Sequence, residues 1–234
     1  PPELPKNQRV VIKDLAYHLQ PLPPRVWRVN GLLAAGTVAI FSAWTGSGKT
    51  WLAYLMAVCI ALGKDWLGFK TVQGNCLIVN EEMDEYDVSE RLTKILKAYQ
   101  GDETTPIKTI SFARFNLFAE KNRASDAALL EKAIIDTGAT FVIIDALADI
   151  MQGGDENAVK DTQPVFMKLK EIATRNQCVI VVIHHTGKNG ATRGSSAIPG
   201  AVDLSIIAKR VGDSDRVDFD TEKERIVPRQ KWAA

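Results

Sequence analysis

Five nearly continuous apolar runs recur along the chain, and the segments between them carry apolar residues at helical spacing. Strands of a parallel sheet have this apolar character because helices cover both of its faces. Alternating strands and helices are joined by right-handed crossovers. The pattern therefore predicts an α/β fold in which helices flank a mostly parallel central sheet. The predicted strands are Val38–Phe41, Cys76–Val79, Ile107–Phe112, Phe141–Ile144 and Val179–Ile183.

Four helices are predicted from capping residues and apolar stripes. The first covers residues 51–62 and ends at Gly63, and the second begins after Asp84, whose side chain can cap it. The third ends at Gly138, and the fourth has Pro164 in its first turn, where proline is tolerated. Toward the C-terminus the pattern changes to short strands, which predict an antiparallel extension. These strands are Leu204–Ala208, Arg216–Asp220 and Arg225–Arg229.

The first residues of the chain differ in composition from the rest. Six of the ten prolines fall within residues 1–24, so residues 1–26 are predicted to form a proline-rich arm or linker. One short amphipathic piece around Val11–Leu19 interrupts this arm. Residues 27–234 are predicted to form a single domain, since one hydrophobic core suffices for a chain of this size.

Composition restricts where the protein works and what it binds. No apolar run of about 18 residues and no signal peptide is found, so we expect a cytoplasmic protein that does not bind a membrane. Cys59, Cys76 and Cys178 lie in apolar segments without metal-ligand spacing, which predicts buried free thiols in a reducing compartment. The net charge of +1 gives no overall electrostatic reason for nucleic-acid binding, so any basic surface must come from local placement.

The segment SAWTGSGKT separates a predicted strand from a predicted helix. The phosphate-binding pattern G-x-x-x-x-G-K-[ST] has glycine where this chain has Ala43, but an alanine at a strand exit is tolerated if its φ stays negative. Gly46 and Gly48 keep the backbone freedom that lets successive N–H groups converge on an anion. Lys49 can reach the β- and γ-phosphates, and Thr50 can bind Mg²⁺. The predicted nucleotide-binding residues are Ala43, Trp44, Thr45, Gly46, Ser47, Gly48, Lys49, Thr50 and Trp51.

Two further predicted strands end in carboxylates. The strand Phe141–Ile144 is followed by Asp145, the arrangement that holds the Mg²⁺ shell of phosphoryl-transfer sites. The strand Cys76–Val79 is followed after one residue by Glu81 and Glu82, and hydrolysis needs a group that orients or deprotonates water. Either glutamate can serve on this argument, and helix-capping acidity before the next helix is the alternative.

Another strand ends in His184 and His185, two of the three histidines in the chain. A neutral imidazole here can donate to a γ-phosphate, while a packed, hydrogen-bonded histidine is the alternative. A zinc site would need more ligands. The remaining histidine, His18, is in the arm and no cysteine lies nearby at ligand spacing, so no structural zinc is expected.

These motifs together resemble the RecA/DnaB-type motor ATPases, and within them the RepA-like branch of hexameric replicative helicases from plasmids, phages and mobile elements. The resemblance extends from about Trp27 to Arg225 and implies that residues 27–234 form a RecA-like ATPase domain. The segments that carry it are Gly46–Thr50, Glu82-Met83, Arg91-Leu92, Ile144-Asp145, Gly154–Asn157, His184–Lys188 and Arg193–Ala197.

The resemblance also implies roles for individual residues. It implies ATP and Mg²⁺ as cofactors, with Thr50 and Asp145 holding the metal ion. By position, Glu82 rather than Glu81 corresponds to the catalytic glutamate that orients water, and His185 to the γ-phosphate sensor. Lys49 completes this set as the phosphate-binding lysine.

Partners follow from the same resemblance. Loops at about 151–161 and 188–200 would face single-stranded DNA, with Lys188 and Arg193 contacting its backbone, although a solvated charged loop is the alternative. Lys223 and Arg225 resemble a segment that reaches the neighbouring subunit's site in a homo-hexameric ring, although a simple exposed strand would also fit their sequence. Two alternative functions fit the sequence. One is a RecA-like recombination or regulatory ATPase without unwinding activity, and the other is a slow nucleotide-dependent switch or scaffold.

Overall fold

The computed structural model describes residues 12–21, 23–44, 48–186, 200–212, 214, 216–224 and 228–234, with the backbone alone at Trp44, Thr186, Lys223 and Glu224. The strands are β1 (Trp27–Val29), β2 (Leu33–Ala34), β3 (Thr37–Trp44), β4 (Cys76–Asn80), β5 (Ile107–Ser111), β6 (Phe141–Asp145), β7 (Val179–Thr186), β8 (Leu204–Arg210), β9 (Val217–Glu224) and β10 (Lys231–Ala233). The helices are α1 (Leu15–His18), α2 (Lys49–Leu62), α3 (Glu85–Ala98), α4 (Glu120–Thr137), α5 (Leu147–Ile150) and α6 (Val159–Asn176).

Eight of these strands form one sheet, in the order β10-β9-β8-β3-β7-β6-β4-β5. The neighbours from β8 to β5 are all parallel, whereas β9 and β10 are added antiparallel at the edge beside β8. The short strands β1 and β2 pair with each other outside this sheet. The predicted α/β class, with a mostly parallel sheet and a C-terminal antiparallel extension, is confirmed.

Each face of the sheet is covered by its own apolar core. Successive strand residues point to opposite faces, so Phe41 and Ile143 pack with α2 and α3, while Ile40 and Val142 pack with α4, α5 and α6. Every residue of β4 and of β6 is buried. The continuous apolar runs of the sequence are explained by this burial on both sides.

Local signals in the sequence set the helix ends. Gly63 and Gly138 follow α2 and α4 in the left-handed conformation, with φ of 65° and 60°, and Asp84 accepts a hydrogen bond from the backbone N–H of Asp87 at 2.9 Å. These three predictions are confirmed. Helix α2 begins at Lys49, two residues before the predicted start at 51.

Two predictions about helices and strands are wrong. Helix α6 begins at Val159, so Pro164 lies in its second turn rather than its first. The third late strand is Lys231–Ala233 instead of 225–229. Residues 225–227 lie outside the described part of the chain, and 228–230 are not a strand. Proline at 228 has no N–H to donate to a ladder, whereas the ring of Trp232 stacks on Phe219 of β9 at 5.0 Å.

The three cysteines are free and buried, as predicted. Burial raises the pKa of Cys59 to about 11 and the pKa of Cys76 and of Cys178 to about 12. Among the helices of the described residues, none has both the length and the apolar character needed to cross a bilayer.

Candidate active site

Polar residues from several segments meet at the carboxyl edge of the central strands. Because these strands are parallel, their carboxyl ends lie on the same side of the sheet. Residue pairing places Ala43 beside His185 on β3 and β7, and Asn80 beside Asp145 on β4 and β6. The predicted catalytic residues found at this edge are Lys49, Glu82, Asp145 and His185.

Lys49 is held back against the strand that precedes its loop. Its Nζ donates to the carbonyl oxygen of Ala43 at 2.7 Å, and the residue is only 4% exposed. Burial lowers the pKa of the Lys49 ammonium to about 8, while the negative charges of Glu82 and Asp145 act in the opposite direction. Burial thus makes the charged ammonium costly, and an anionic phosphate would stabilise that charge further.

The glycine directly before this lysine has the backbone conformation that its place in the motif requires. Gly48 has φ of 82° directly before α2, a conformation that glycine adopts without strain. Ala43 is buried within β3 and has no positive φ, so the alanine in place of glycine is accommodated as expected. Of the remaining predicted loop residues, Thr45, Gly46 and Ser47 lie outside the described residues, and Trp44 is described only in its backbone.

Asp145 is fully buried, and within the described part of the chain neither of its carboxylate oxygens has a hydrogen-bond partner within 3.5 Å. Burial, followed by the charge of Glu82, raises the pKa of Asp145 to about 7, with the Thr50 hydroxyl acting against this rise. A carboxylate this deeply buried is costly to ionise, so this is not a solvated turn. A Mg²⁺ ion prefers oxygen ligands and keeps several waters. Thr50 and Asp145 fit such an ion.

The two adjacent glutamates have different surroundings. Asn80 closes a tight turn, since its Oδ1 accepts from the backbone N–H of Met83 at 3.0 Å. Glu81 turns inward and accepts from the backbone N–H groups of Arg114 and Phe115, at 3.0 and 3.4 Å. Glu81 is therefore occupied by the loop after β5. This arrangement leaves Glu82 as the glutamate directed toward the nucleotide site.

Glu82 is paired with the second histidine. Its Oε2 lies 3.1 Å from Nε2 of His185, and the side chains of Glu82 and His185 are 41% and 32% exposed. The hydrogen bond with His185 lowers the pKa of the Glu82 carboxyl, against the opposing effect of burial. Glu82 is thus an accessible, charged acceptor beside Lys49 and Asp145. A water molecule could be oriented by such a group.

The first histidine faces the interior instead. His184 is 4% exposed, with Nδ1 at 3.5 Å from the hydroxyl oxygen of Ser42 and Nε2 at 3.6 Å from Oε2 of Glu156. Burial lowers the pKa of His184 to about 4, with smaller contributions from His185 and Lys49, so its imidazole is neutral near pH 7. His184 is therefore a buried, neutral histidine at the carboxyl edge of the sheet.

The segment Gly154–Asn157 lies next to His184, a contact that sequence reasoning missed. A side chain at Gly154 would come within 2.9 Å of the Phe118 ring, so only glycine fits there without displacement. Asp155 accepts from the backbone N–H of Asn157 at 2.9 Å, and Glu156 approaches His184. The distinctive residue string was the available signal, but its contacts could not be read from the sequence.

An exposed aromatic residue lies beside the loop. Trp51, directly after Thr50, is 38% exposed, and the guanidinium of Arg91 on α3 lies 5.6 Å from the centre of its ring. This distance is within the range of a cation–π interaction. The pair joins the start of α2 to the helix that follows Glu82.

Several predicted site residues cannot be placed by the structure. Lys188, Arg193 and Arg225 lie outside the described residues, and only the backbone of Lys223 is described, within β9. The proposed contacts of these residues with DNA and with a neighbouring subunit therefore stay predictions.

Comparison with known proteins agrees with the nucleotide site. A family model described as AAA domain matches residues 3–191, which is more than half of the chain. A search of curated proteins finds no match to the sequence. The matched region contains the glycine loop, both strand-end carboxylates and the two histidines, and the sheet is that of a RecA-like core. The chain belongs to this AAA domain family of nucleotide-hydrolysing P-loop ATPases.

Proposed function

We propose that the protein is a ring-forming motor ATPase of the RepA-like kind, which uses Mg²⁺-dependent ATP hydrolysis to move along single-stranded DNA as a translocase or replicative helicase. The observation that carries the hydrolytic part of this proposal is the pairing of Glu82 with His185, 3.1 Å apart, next to Lys49 and the buried Asp145. The ring and the DNA are proposed from the resemblance of the motifs. A binding-only switch has no need for an accessible, charged carboxylate in that position.

The side chains divide the work of hydrolysis among them. Lys49 would bind the β- and γ-phosphates, and Mg²⁺, held by Thr50 and Asp145, would neutralise charge on the phosphate oxygens. Glu82 would orient the attacking water and accept its proton. His185 can contact either Glu82 or a γ-phosphate. A bound triphosphate would therefore compete with Glu82 for the imidazole and free the carboxylate to act on water.

A catalytic arginine from a neighbouring subunit fits the topology. Strand β9 ends at Glu224, which pairs with Leu204 at the beginning of β8. Since β8 runs parallel to β3, this is the edge of the sheet opposite the nucleotide site. Arg225 is the next residue in the sequence, so action on the site of an adjacent subunit is favoured over action on its own. A ring formed by such head-to-tail contacts is expected, with a homo-hexamer as the proposed size.

Mixing inactive variants tests this arrangement. Arg225→Ala and Glu82→Gln should each hydrolyse ATP very slowly, because an arginine acting in trans contributes roughly 10³–10⁵ to turnover. In an equimolar mixture about a quarter of the interfaces would combine an intact Glu82 with an intact Arg225, and hydrolysis should partly return. A mixture of Glu82→Gln with Asp145→Asn is the matched control, since no interface is repaired if both residues act within one subunit. Persistent inactivity of the first mixture, with co-assembly demonstrated, would contradict the proposal.

The DNA contacts are tested by salt dependence. Neutralising Lys188 and Arg193 together should weaken binding to all single strands alike and reduce the slope of log affinity against log salt by roughly 0.7 per lost phosphate contact. Neutralising Lys94 and Lys132 is the control, since both are exposed lysines in surface ion pairs on outer helices. Equal slopes for the two double variants would remove Lys188 and Arg193 from the DNA site.

A further inference from the structure

Tyr54 of α2 is fully buried, yet its hydroxyl has no hydrogen-bond partner within the described part of the chain. Most buried polar side-chain atoms in folded proteins have a partner, and each exception requires an explanation. Phenylalanine would fill the same space without leaving a polar atom unsatisfied. The hydroxyl therefore reduces the stability of the nucleotide-free protein and needs a compensating role.

Tyr54 lies one helical turn from the residues at the start of α2. Tyr54 follows Thr50 by four residues, so the two lie on the same face of α2, one turn apart. Long side chains on a helix lean back toward its N-terminus. The N-terminus of α2 is where Lys49 and Thr50 are placed for the phosphates and the metal ion.

The charges that act on this hydroxyl are those of the site. Burial raises the pKa of Tyr54, and the negative charges of Asp145 and Glu82 add to that rise, while Arg91 opposes it. The carboxylate of Asp145 has its own two oxygens without partners. Geometry places the two groups on one side of the sheet: Tyr54 and Ile143 belong to the same apolar cluster, and Asp145, two residues after Ile143 on β6, faces the same side.

We propose that Tyr54 is a positioning residue whose hydroxyl donates to the Asp145 carboxylate when nucleotide and Mg²⁺ are bound, and so orients that carboxylate toward the metal ion. This inference rests on the Mg²⁺-dependent ATP hydrolysis proposed above. In the nucleotide-free protein both groups are left unsatisfied. Loading the site would fix the orientation of the carboxylate and give the hydroxyl its acceptor.

The change Tyr54→Phe removes this hydroxyl and nothing else. The matched control is Tyr86→Phe on α3, because the side chain of Tyr86 is 81% exposed and its hydroxyl is already solvated. Three quantities are measured for each protein: the melting temperature without nucleotide, the affinity for ADP with Mg²⁺ and with EDTA by calorimetry, and the Mg²⁺ concentration for half-maximal hydrolysis.

The expected result separates positioning from packing. Tyr54→Phe should melt at the same or a higher temperature than wild type without nucleotide and bind ADP normally in EDTA. It should need roughly 3- to 10-fold more Mg²⁺ for half-maximal hydrolysis, and its affinity for ADP in the presence of Mg²⁺ should fall by a similar factor. Both changes are of the size expected from the loss of one hydrogen bond. Tyr86→Phe should match wild type in every measurement.

Two results would overturn the inference alone. One is an unchanged Mg²⁺ requirement in Tyr54→Phe while wild type binds and hydrolyses Mg–ATP. The other is a lower melting temperature of nucleotide-free Tyr54→Phe, which would show that the hydroxyl already has a partner in that state. Failure of wild type itself to bind Mg²⁺ with nucleotide would instead remove the proposed function, and this inference with it.

Discussion

Glu81→Gln should lower the stability of the protein and leave its turnover largely intact. Glu82→Gln should leave the stability nearly unchanged and lower the turnover. Glu81 accepts hydrogen bonds from two backbone N–H groups of the loop after β5, at 3.0 and 3.4 Å, and is 9% exposed. Glu82 makes its hydrogen bond to His185 on the open side of the site. The two neighbours thus offer a comparison in which the chemical change is identical and only the surroundings differ.

The expected size of each effect follows from these contacts. A hydrogen bond to a charged group contributes about 1.5–3 kcal/mol, and an amide oxygen at position 81 would retain only part of that contribution. The 3.4 Å contact is long, so we expect Glu81→Gln to lose about 1.5–3 kcal/mol in total, or roughly 3–12 °C in melting temperature for a protein of this size. Glu82→Gln should change stability by less than about 0.5 kcal/mol and reduce turnover by roughly 10²–10⁴.

The assay combines thermal melting without nucleotide, nucleotide binding by calorimetry and phosphate release at saturating Mg–ATP. Glu82→Gln should melt like wild type, bind ATP and release almost no phosphate. Glu81→Gln should melt earlier but retain most of its turnover at a temperature where it is folded. If Glu81→Gln is inactive and fully stable while Glu82→Gln remains active, the roles assigned to the two glutamates are wrong.

Three further predictions concern buried groups. Because burial depresses the pKa of His184 to about 4 from an ordinary 6.5, its contribution to stability is present above pH 6.5 and is lost as pH falls toward 4. The free energy of unfolding of wild type, measured in urea, should therefore fall by roughly 3 kcal/mol as the pH is lowered from 6.5 to 4, and His184→Gln should lack this fall. Equal pH profiles of the two proteins would contradict the prediction. Lys49→Met should abolish ATP binding in calorimetry, because it removes the ammonium that would contact the phosphates; retained binding would exclude the phosphate role. Cys59, Cys76 and Cys178 should resist a thiol reagent at pH 8 until the protein unfolds, and rapid reaction in the native state would show that one is accessible.

The location of the site could be predicted from sequence because it depends on strand direction and on short motifs. Parallel strands end at one edge, so polar residues after apolar runs, such as Asp145 and His185, must gather there. The start of α2 depends on the adjacent glycine loop, and its end on Gly63. Each of these signals is contained within a few residues.

Features that depend on distant partners could not be predicted in this way. The two glutamates are distinguished by the side chain of Asn80 and by amide groups of the loop at Arg114, more than thirty residues along the chain. The approach of Glu156 to His184 also joins separate segments. The unsatisfied hydroxyl of Tyr54 is visible only when every neighbour of a buried atom is known.

The central claim is that the Glu82–His185 site hydrolyses ATP in response to single-stranded DNA. The most direct measurement is the rate of phosphate release from saturating Mg–ATP, at low salt, with and without an unstructured single strand. The strand should accelerate release by wild type, and a duplex of the same length should have a smaller effect. Lys49→Met should release no phosphate under either condition. An equal rate with and without the strand, under conditions where the protein demonstrably binds it, would contradict the claim.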